Sequence, residues 1–306
     1  MTKFVQLLLQ TLTLGSLYAL IALGYTLVYG ILRFINFAHS DVVTFGAWVA
    51  FAIAGALGWA GTGSPVFAMP VVMILAMAAS AALGFTIERL AYRPLRKAPR
   101  LNVLITAIGV SLLLQNAGQL QALFGKDPVK MPRLLSEAPL VKVASVQVPW
   151  VDVALVVLTI TLVIALQWLV FRTKLGQAMR AVSWSEQTAA LMGVPVDKVV
   201  SITFMIGSAL AAAGGVLYGL KYRQLNQTAD ALWMLLGLKA FVAAVVGGIG
   251  NVRGAVLGAV LIAFIEVFGA GYVSSKMPDL FVFGVLIVML LFRPAGLLGT
   301  ATVEKV

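Results

Sequence analysis

Nine apolar stretches divide the chain: 5–32, 42–57, 67–87, 103–124, 151–171, 199–220, 235–249, 252–273 and 280–292. Most reach the roughly 20 residues that carry a helix across a bilayer core. They are rich in Ala, Leu and Gly and lack two-residue alternation, so the pattern predicts helices rather than strands. The stretches 42–57, 235–249 and 280–292 are short for a full crossing. Each reads either as a span or as a re-entrant or broken helix, which leaves eight and nine spans both open. The first stretch is too long for a signal-peptide core and has no small-residue cleavage pattern behind it, so it reads as a retained helix. The predicted fold class is an all-α, polytopic transmembrane helical bundle.

Polar residues crowd one gap, "YGILRFINFAHSDVVTFGAW" at 29–48, which holds Arg33, Asn36, the single histidine His39, Ser40 and Asp41. Two readings stand side by side. In one, Ser40 or Asp41 caps the second helix while Asn36 and His39 bridge backbone groups at the break. In the other, the cluster is a gate in a translocation path. Within the apolar stretches, the clearest acid is Glu266, which either faces a polar pathway or pairs with a backbone or amide partner. Gln115, Asn116 and Gln119 sit close together in the fourth stretch and Gln167 late in the fifth. Interhelical hydrogen bonding and lining a polar passage are the two uses for such amides. The tentative pathway residues are therefore Asn36, His39, Asp41, Gln115, Asn116 and Glu266.

Only 11% of the 306 residues are charged and the mean hydropathy is +1.01, which excludes a water-soluble domain. The net charge of +11 reads as basic loops of a membrane protein, not as a nucleic-acid footprint. Arg89, Arg93, Arg96, Lys97 and Arg100 fill one connection; Arg172, Lys174, Arg180 and Lys198 fill another, and Arg293 follows the last stretch. All three fall on one side if the intervening stretches each cross once, so that side and the C-terminus are expected to be cytoplasmic. Residues 125–150 carry Lys126, Lys130, Arg133 and Lys142, offset only in part by Asp127 and Glu137. Their Pro-rich, β-branched character still suits a folded external loop. Gly250, Gly254 and Gly258 recur every four residues, as do Ala211, Gly215 and Gly219, the spacing of close helix packing; the glycines of 245–254 also suit a flexible gate. No cysteine is present, which excludes disulfides, thiolate metal sites and a cysteine nucleophile. There is no phosphate-binding loop and no His-Glu-x2-His zinc motif, so neither an enzyme nor a resident metal or cofactor is expected.

Residues 172–200 are too long for a minimal turn and read as one or two amphipathic helices, with Ala178, Ala181, Leu191 and Val194 as the apolar side and Gly193 as the breaker. Their charges are few and mixed in sign, which fits a protein partner better than anionic lipid.

"LGSLYALIALGYTLVYGILRFINFAHSDVVTFGAW", "ERLAYRPLR", "LITAIGVSLLLQN", "LGQAMRAV…AALMGV" and "GGIGNVRGAVLGA" resemble, in order and spacing along nearly the whole chain, the branched-chain amino acid ABC permease family, its LivH-type subunit above all. The resemblance implies a single ABC-importer permease domain over 1–306 in a bacterial inner membrane. It also implies a second, related permease chain, two cytoplasmic ATPase subunits that hydrolyse the ATP, and a periplasmic binding protein. In such importers a short cytoplasmic helix docks on the ATPase, and 173–197 occupies that position. Arg180, Glu186, Ala189, Ala190 and Gly193 are the coupling candidates it suggests. The family's Glu-Ala-Ala-x3-Gly pattern is only loosely echoed, because Glu186 lies seven residues before Gly193. Branched-chain amino acids are the expected substrates, with urea and short amides as the alternative within the family. A stand-alone secondary transporter is the alternative from another class; the docking segment and the absence of an ion relay argue against it.

Overall fold

The computed structural model of the protein describes residues 2–59, 65, 67–96, 98–135, 139–143 and 146–299; Lys97 and Glu137 of the expected loops lie outside them. Its helices are α1 (Thr2–Leu32), α2 (His39–Ala56), α3 (Ala68–Ile87), α4 (Arg100–Gly118), α5 (Trp150–Arg172), α6 (Lys174–Trp184), α7 (Glu186–Leu191), α8 (Val196–Tyr222), α9 (Ala231–Gly247), α10 (Val252–Tyr272) and α11 (Pro278–Phe292). A π-helical turn, Glu88–Tyr92, and a 3-10 turn, Arg93–Leu95, prolong α3. Among the described residues seven helices are long and apolar enough to cross a membrane, and α9 and α11 are shorter apolar helices. The chain is an all-α, multi-pass membrane protein.

Lipid tails are as apolar as leucine, so such helices associate through close packing and polar contacts rather than through water exclusion. α1 and α8 form the centre. α1 packs against α10, α8, α9 and α5, and α8 against α3, α1 and α2. Leu17, Leu20, Ile21 and Leu23 of α1 and Phe204 and Leu217 of α8 are fully buried. The glycine spacing of α10 serves its packing on α9, since a Cβ on Gly254 or Gly258 would overlap backbone atoms of Gly247 or Ala243 there. The stretch 245–254 is also pinned from outside, because Leu297 and Leu298 donate backbone bonds to the Val246 and Gly247 carbonyls. α4, α5 and α11 turn Leu113, Ile164 and Leu291 outward, a surface suited to lipid or to another membrane chain.

Contacts at the helix ends give the bundle two distinct ends. At one, Lys3 donates to the Gly271 carbonyl (2.7 Å) and Lys221 pairs with Asp152. Short strands cluster there, although the spans themselves are helical. β2 (Pro139–Val143) and β3 (Val146–Pro149) form an antiparallel hairpin, and β1 (Val129–Lys130) pairs with β4 (Gln224–Leu225). Buried Met131 and Leu134 anchor this folded loop to the core. At the other end lie α6, α7 and the turns after α3.

The second helix is entered from within the bundle. Its first residue, His39, contacts the carbonyl of Ile21, eleven residues before the end of α1. At 1.5 Å per residue that carbonyl lies about 16 Å before the end of α1, and the imidazole reaches it from the first residue of α2. The chain leaves α1 at Leu32, doubles back through 33–38 and starts α2 at depth. The connection is re-entrant, one of the forms left open for this short stretch.

Candidate functional site

Arg33 adopts φ 57, a left-handed conformation that reverses the chain after α1. Two turns of hydrogen bonding then hold the return. Asn36 Oδ1 accepts from the Ala38 N–H (3.1 Å) and from the Tyr92 hydroxyl (2.6 Å). His39 Nε2 donates to the Ile21 carbonyl at 3.2 Å, and its ring lies 4.4 Å from that of Tyr25. Gly24 makes room for this ring, since a Cβ there would collide with it. The expected capping by Ser40 or Asp41 is not what holds the helix start. Ala38 is the N-cap and makes no side-chain cap bond, while Ser40 Oγ turns back to the Phe37 carbonyl (3.4 Å). The reason is geometric: α2 begins two residues earlier than a Ser40 cap needs and three earlier than an Asp41 cap needs, placing both side chains inside the first turn. Asp41 there still complements the positive helix end.

Asp41 is 5% exposed and its Oδ1 accepts from Gln115 Nε2 of α4 (3.0 Å). That amide also donates to Ser111 Oγ (3.1 Å), and the Gln115 carbonyl accepts from the Thr228 hydroxyl (2.7 Å). The fold thus gathers Asn36, His39, Asp41 and Gln115 around the buried start of α2. Asn116 is not among them: it is exposed and donates to the Leu112 carbonyl of its own helix (2.7 Å).

Glu266 belongs to a separate cluster, and its partners are neither backbone nor amide. It accepts from the Tyr18 hydroxyl (2.7 Å) and from Lys239 Nζ (2.6 Å), which also lies 2.6 Å from Asp279 Oδ1. Lys239 was legible in "LLGLKAFVAAVV" as a charge within an apolar stretch, a signal the acid-centred reading passed over. Glu266→Gln retains an acceptor for Tyr18 and leaves Lys239 its Asp279 partner. It is therefore expected to insert normally and to change uptake by less than about tenfold, the scale of one interhelical hydrogen bond. Complete loss of uptake in a normally assembled variant would give this carboxylate a direct part in transport.

A third cluster was hidden among the basic residues after α3. The Glu88 side chain is fully buried and pairs with Arg96, and it accepts from Ser201 Oγ of α8 at 2.5 Å. Arg96 also reaches Asp197 (2.8 Å), as does Arg93. Glu88 and Tyr92 share the π-helical turn, a local irregularity that recurs at functional positions. The turn therefore joins the first residues of α8 to Asn36 and the start of α2.

Residues 173–197 fold as two short helices, each opened by a side-chain cap. Thr173 Oγ1 accepts from the Gly176 N–H (3.1 Å) and Ser185 Oγ from the Thr188 N–H (3.2 Å). Met179, Val182 and Ala189 are buried with Val199 beneath them. The apolar side thus differs from the expected one, because Ala181 and Leu191 face outward. Trp184, Leu191 and Met192 are at least 80% exposed. Glu186, Ala190 and Gly193 are exposed beside them. Ala189 faces inward, and Arg180 folds back on the Val170 carbonyl and the Phe171 ring. Arg33 donates to the Ser183 carbonyl (3.1 Å), tying this segment to the turn before α2.

Residues 7–291 match the family described as the permease component of branched-chain amino acid transport systems. The high-affinity branched-chain amino acid transport system permease protein BraD of Pseudomonas aeruginosa is 41% identical over 310 residues, covering 99% of this chain and 98% of that protein. The corresponding permease protein LivH of Escherichia coli is 38% identical over 306 residues, with the same coverage of 99% and 98%. Among solved structures, PsaBC from Streptococcus pneumoniae in complex with Fab aligns with 96% of this chain and 93% of that one at a TM-score of 0.46 and 12% identity, a likeness too distant to argue from. The family match and two full-length relatives establish that the chain belongs to the branched-chain amino acid transport system permease family.

Proposed function

We propose that the chain is a permease subunit of an ATP-driven importer and passes branched-chain amino acids across a bacterial inner membrane. The observation that carries this reading is the full-length likeness to permeases named for that transport. A second permease chain completes the path, one of two ATPase subunits docks on α6 and α7, and a periplasmic binding protein delivers the solute. Two features support the division of labour. The α6–α7 surface presents large apolar side chains with few charges, the character of a protein contact rather than of a lipid-bound helix. Ion pairs join Asp197, Arg96 and Glu88, and the π-helical turn that carries Glu88 also carries Tyr92, which bonds Asn36 before the start of α2. Movement of the docking segment reaches the buried break through packed, hydrogen-bonded groups.

The test is uptake into liposomes that hold both permeases and the ATPase subunits. Leucine, isoleucine and valine should enter only with ATP inside and the binding protein outside. Uptake driven by an ion gradient without ATPase subunits would make the chain a secondary transporter, and uptake of urea or short amides alone would change the substrate. Orientation is checked separately. Reporters fused after Arg100, Leu191 or Gly299 should read cytoplasmic, and one within 126–145 external. A cytoplasmic signal from 126–145 would reverse the assignment.

A further inference from the structure

The other oxygen of Asp41 has no hydrogen-bond partner among the described residues, although it is buried. Asp41 is one of the residues lining a cavity of about 80 Å³ between α2, α4 and the loop before α9. Asp41, Thr44, Gln115 and Thr228 form the polar part of the wall, and Phe45, Leu114, Leu123 and Phe124 contribute apolar surface. No lysine, arginine or histidine lines it. An isolated aspartate deep in a membrane protein costs about 2.5–3.5 kcal/mol on insertion scales, and the positive end of α2 offsets only part of that. A positive charge there would offset the remainder. The volume exceeds the roughly 10–15 Å³ one water needs, and two aromatic rings in the wall suit a cation.

We propose that this cavity binds a monovalent cationic group, with the Asp41 carboxylate as its counter-charge. An alkali ion and the α-ammonium of a transported amino acid share this chemistry. The apolar wall matches an aliphatic chain behind the ammonium; that source rests on the proposed function, whereas the cation site itself does not.

The experiment is binding to the purified, full-length permease assembly in lipid nanodiscs, without ATP or binding protein. Melting temperature is followed at constant ionic strength, with N-methylglucamine as the reference cation. The probes are sodium, potassium, 3-methylbutylammonium, leucine and 4-methylpentanoate. At least one cationic probe should stabilise the protein saturably, 4-methylpentanoate should not, and Asp41→Asn should weaken the effect at least about tenfold. Stabilisation by 3-methylbutylammonium and leucine assigns the site to the solute's ammonium; stabilisation by sodium or potassium alone assigns it to a free ion. Leu123→Trp fills the cavity while sparing Asp41, so it must also abolish binding, and it serves if Asp41→Asn fails to assemble. Absence of saturable binding by every cation, or unchanged binding in both variants, overturns the proposal. Because no uptake is measured, that failure is distinct from failure of the transport reading.

Discussion

Arg96→Met is expected to cost about 3–5 kcal/mol, the largest loss of stability among single changes at the polar clusters. Glu88 has no exposed side-chain surface, and Arg96 is its only charged partner among the described residues. Removing the guanidinium leaves a buried carboxylate with the Ser201 hydroxyl alone. Thermal unfolding of the purified permease in detergent reads this directly. The double variant Glu88→Met with Arg96→Met should recover most of the loss, because well-packed apolar side chains replace a buried ion pair at little net cost. Its uptake should nevertheless stay at least about tenfold below normal, since Asp197 on α8 is no longer linked to the π-helical turn. A double variant as unstable as the single one would mean that the pair is not the stabilising unit. Normal uptake in a stable double variant would mean that the docking segment acts through other contacts.

Changes at the exposed face of α6 and α7 should uncouple ATP hydrolysis from transport without unfolding the bundle. Glu186→Lys reverses a charge that is exposed in the first turn of α7. Gly193 follows α7 at φ +80 with open space around it. Valine there meets no clash, but a β-branched residue in that conformation costs about 1–3 kcal/mol and reshapes the exit from the helix. Both variants should reach the membrane and pair with the second permease at near-normal levels. Co-purification of the ATPase subunits, or stimulation of ATP turnover by loaded binding protein, should fall about tenfold. Arg180→Ala is the internal contrast. Arg180 caps the end of α5 through the Val170 carbonyl, so its loss should lower stability before it touches recruitment. Full stimulation in both Glu186→Lys and Gly193→Val would place the docking surface elsewhere.

Membrane residence, helical class and the positions of the spans were determined by sequence alone. Burying unpaired backbone in lipid is too costly for anything but helices here, and twenty apolar residues in a row have no other home. The segment after α5 was legible as one or two amphipathic helices with Gly193 as the stop, and the structure divides it at Ser185. Its outward face was not, since Ala181, Ala189 and Leu191 are all apolar and only packing on Val199 decides which of them turns in. The clusters show the same division. Asn36, His39 and Asp41 announced themselves as polar residues crowded into an apolar chain. That α2 starts within the bundle depends on His39 meeting Ile21 beside Gly24, a contact no local pattern encodes. Glu88 looked like one more charge in a basic loop, and Lys239 and Glu266 are 27 residues apart on different helices. A buried charge is tolerated only where another element brings its partner, so pairing and depth were decided by tertiary structure.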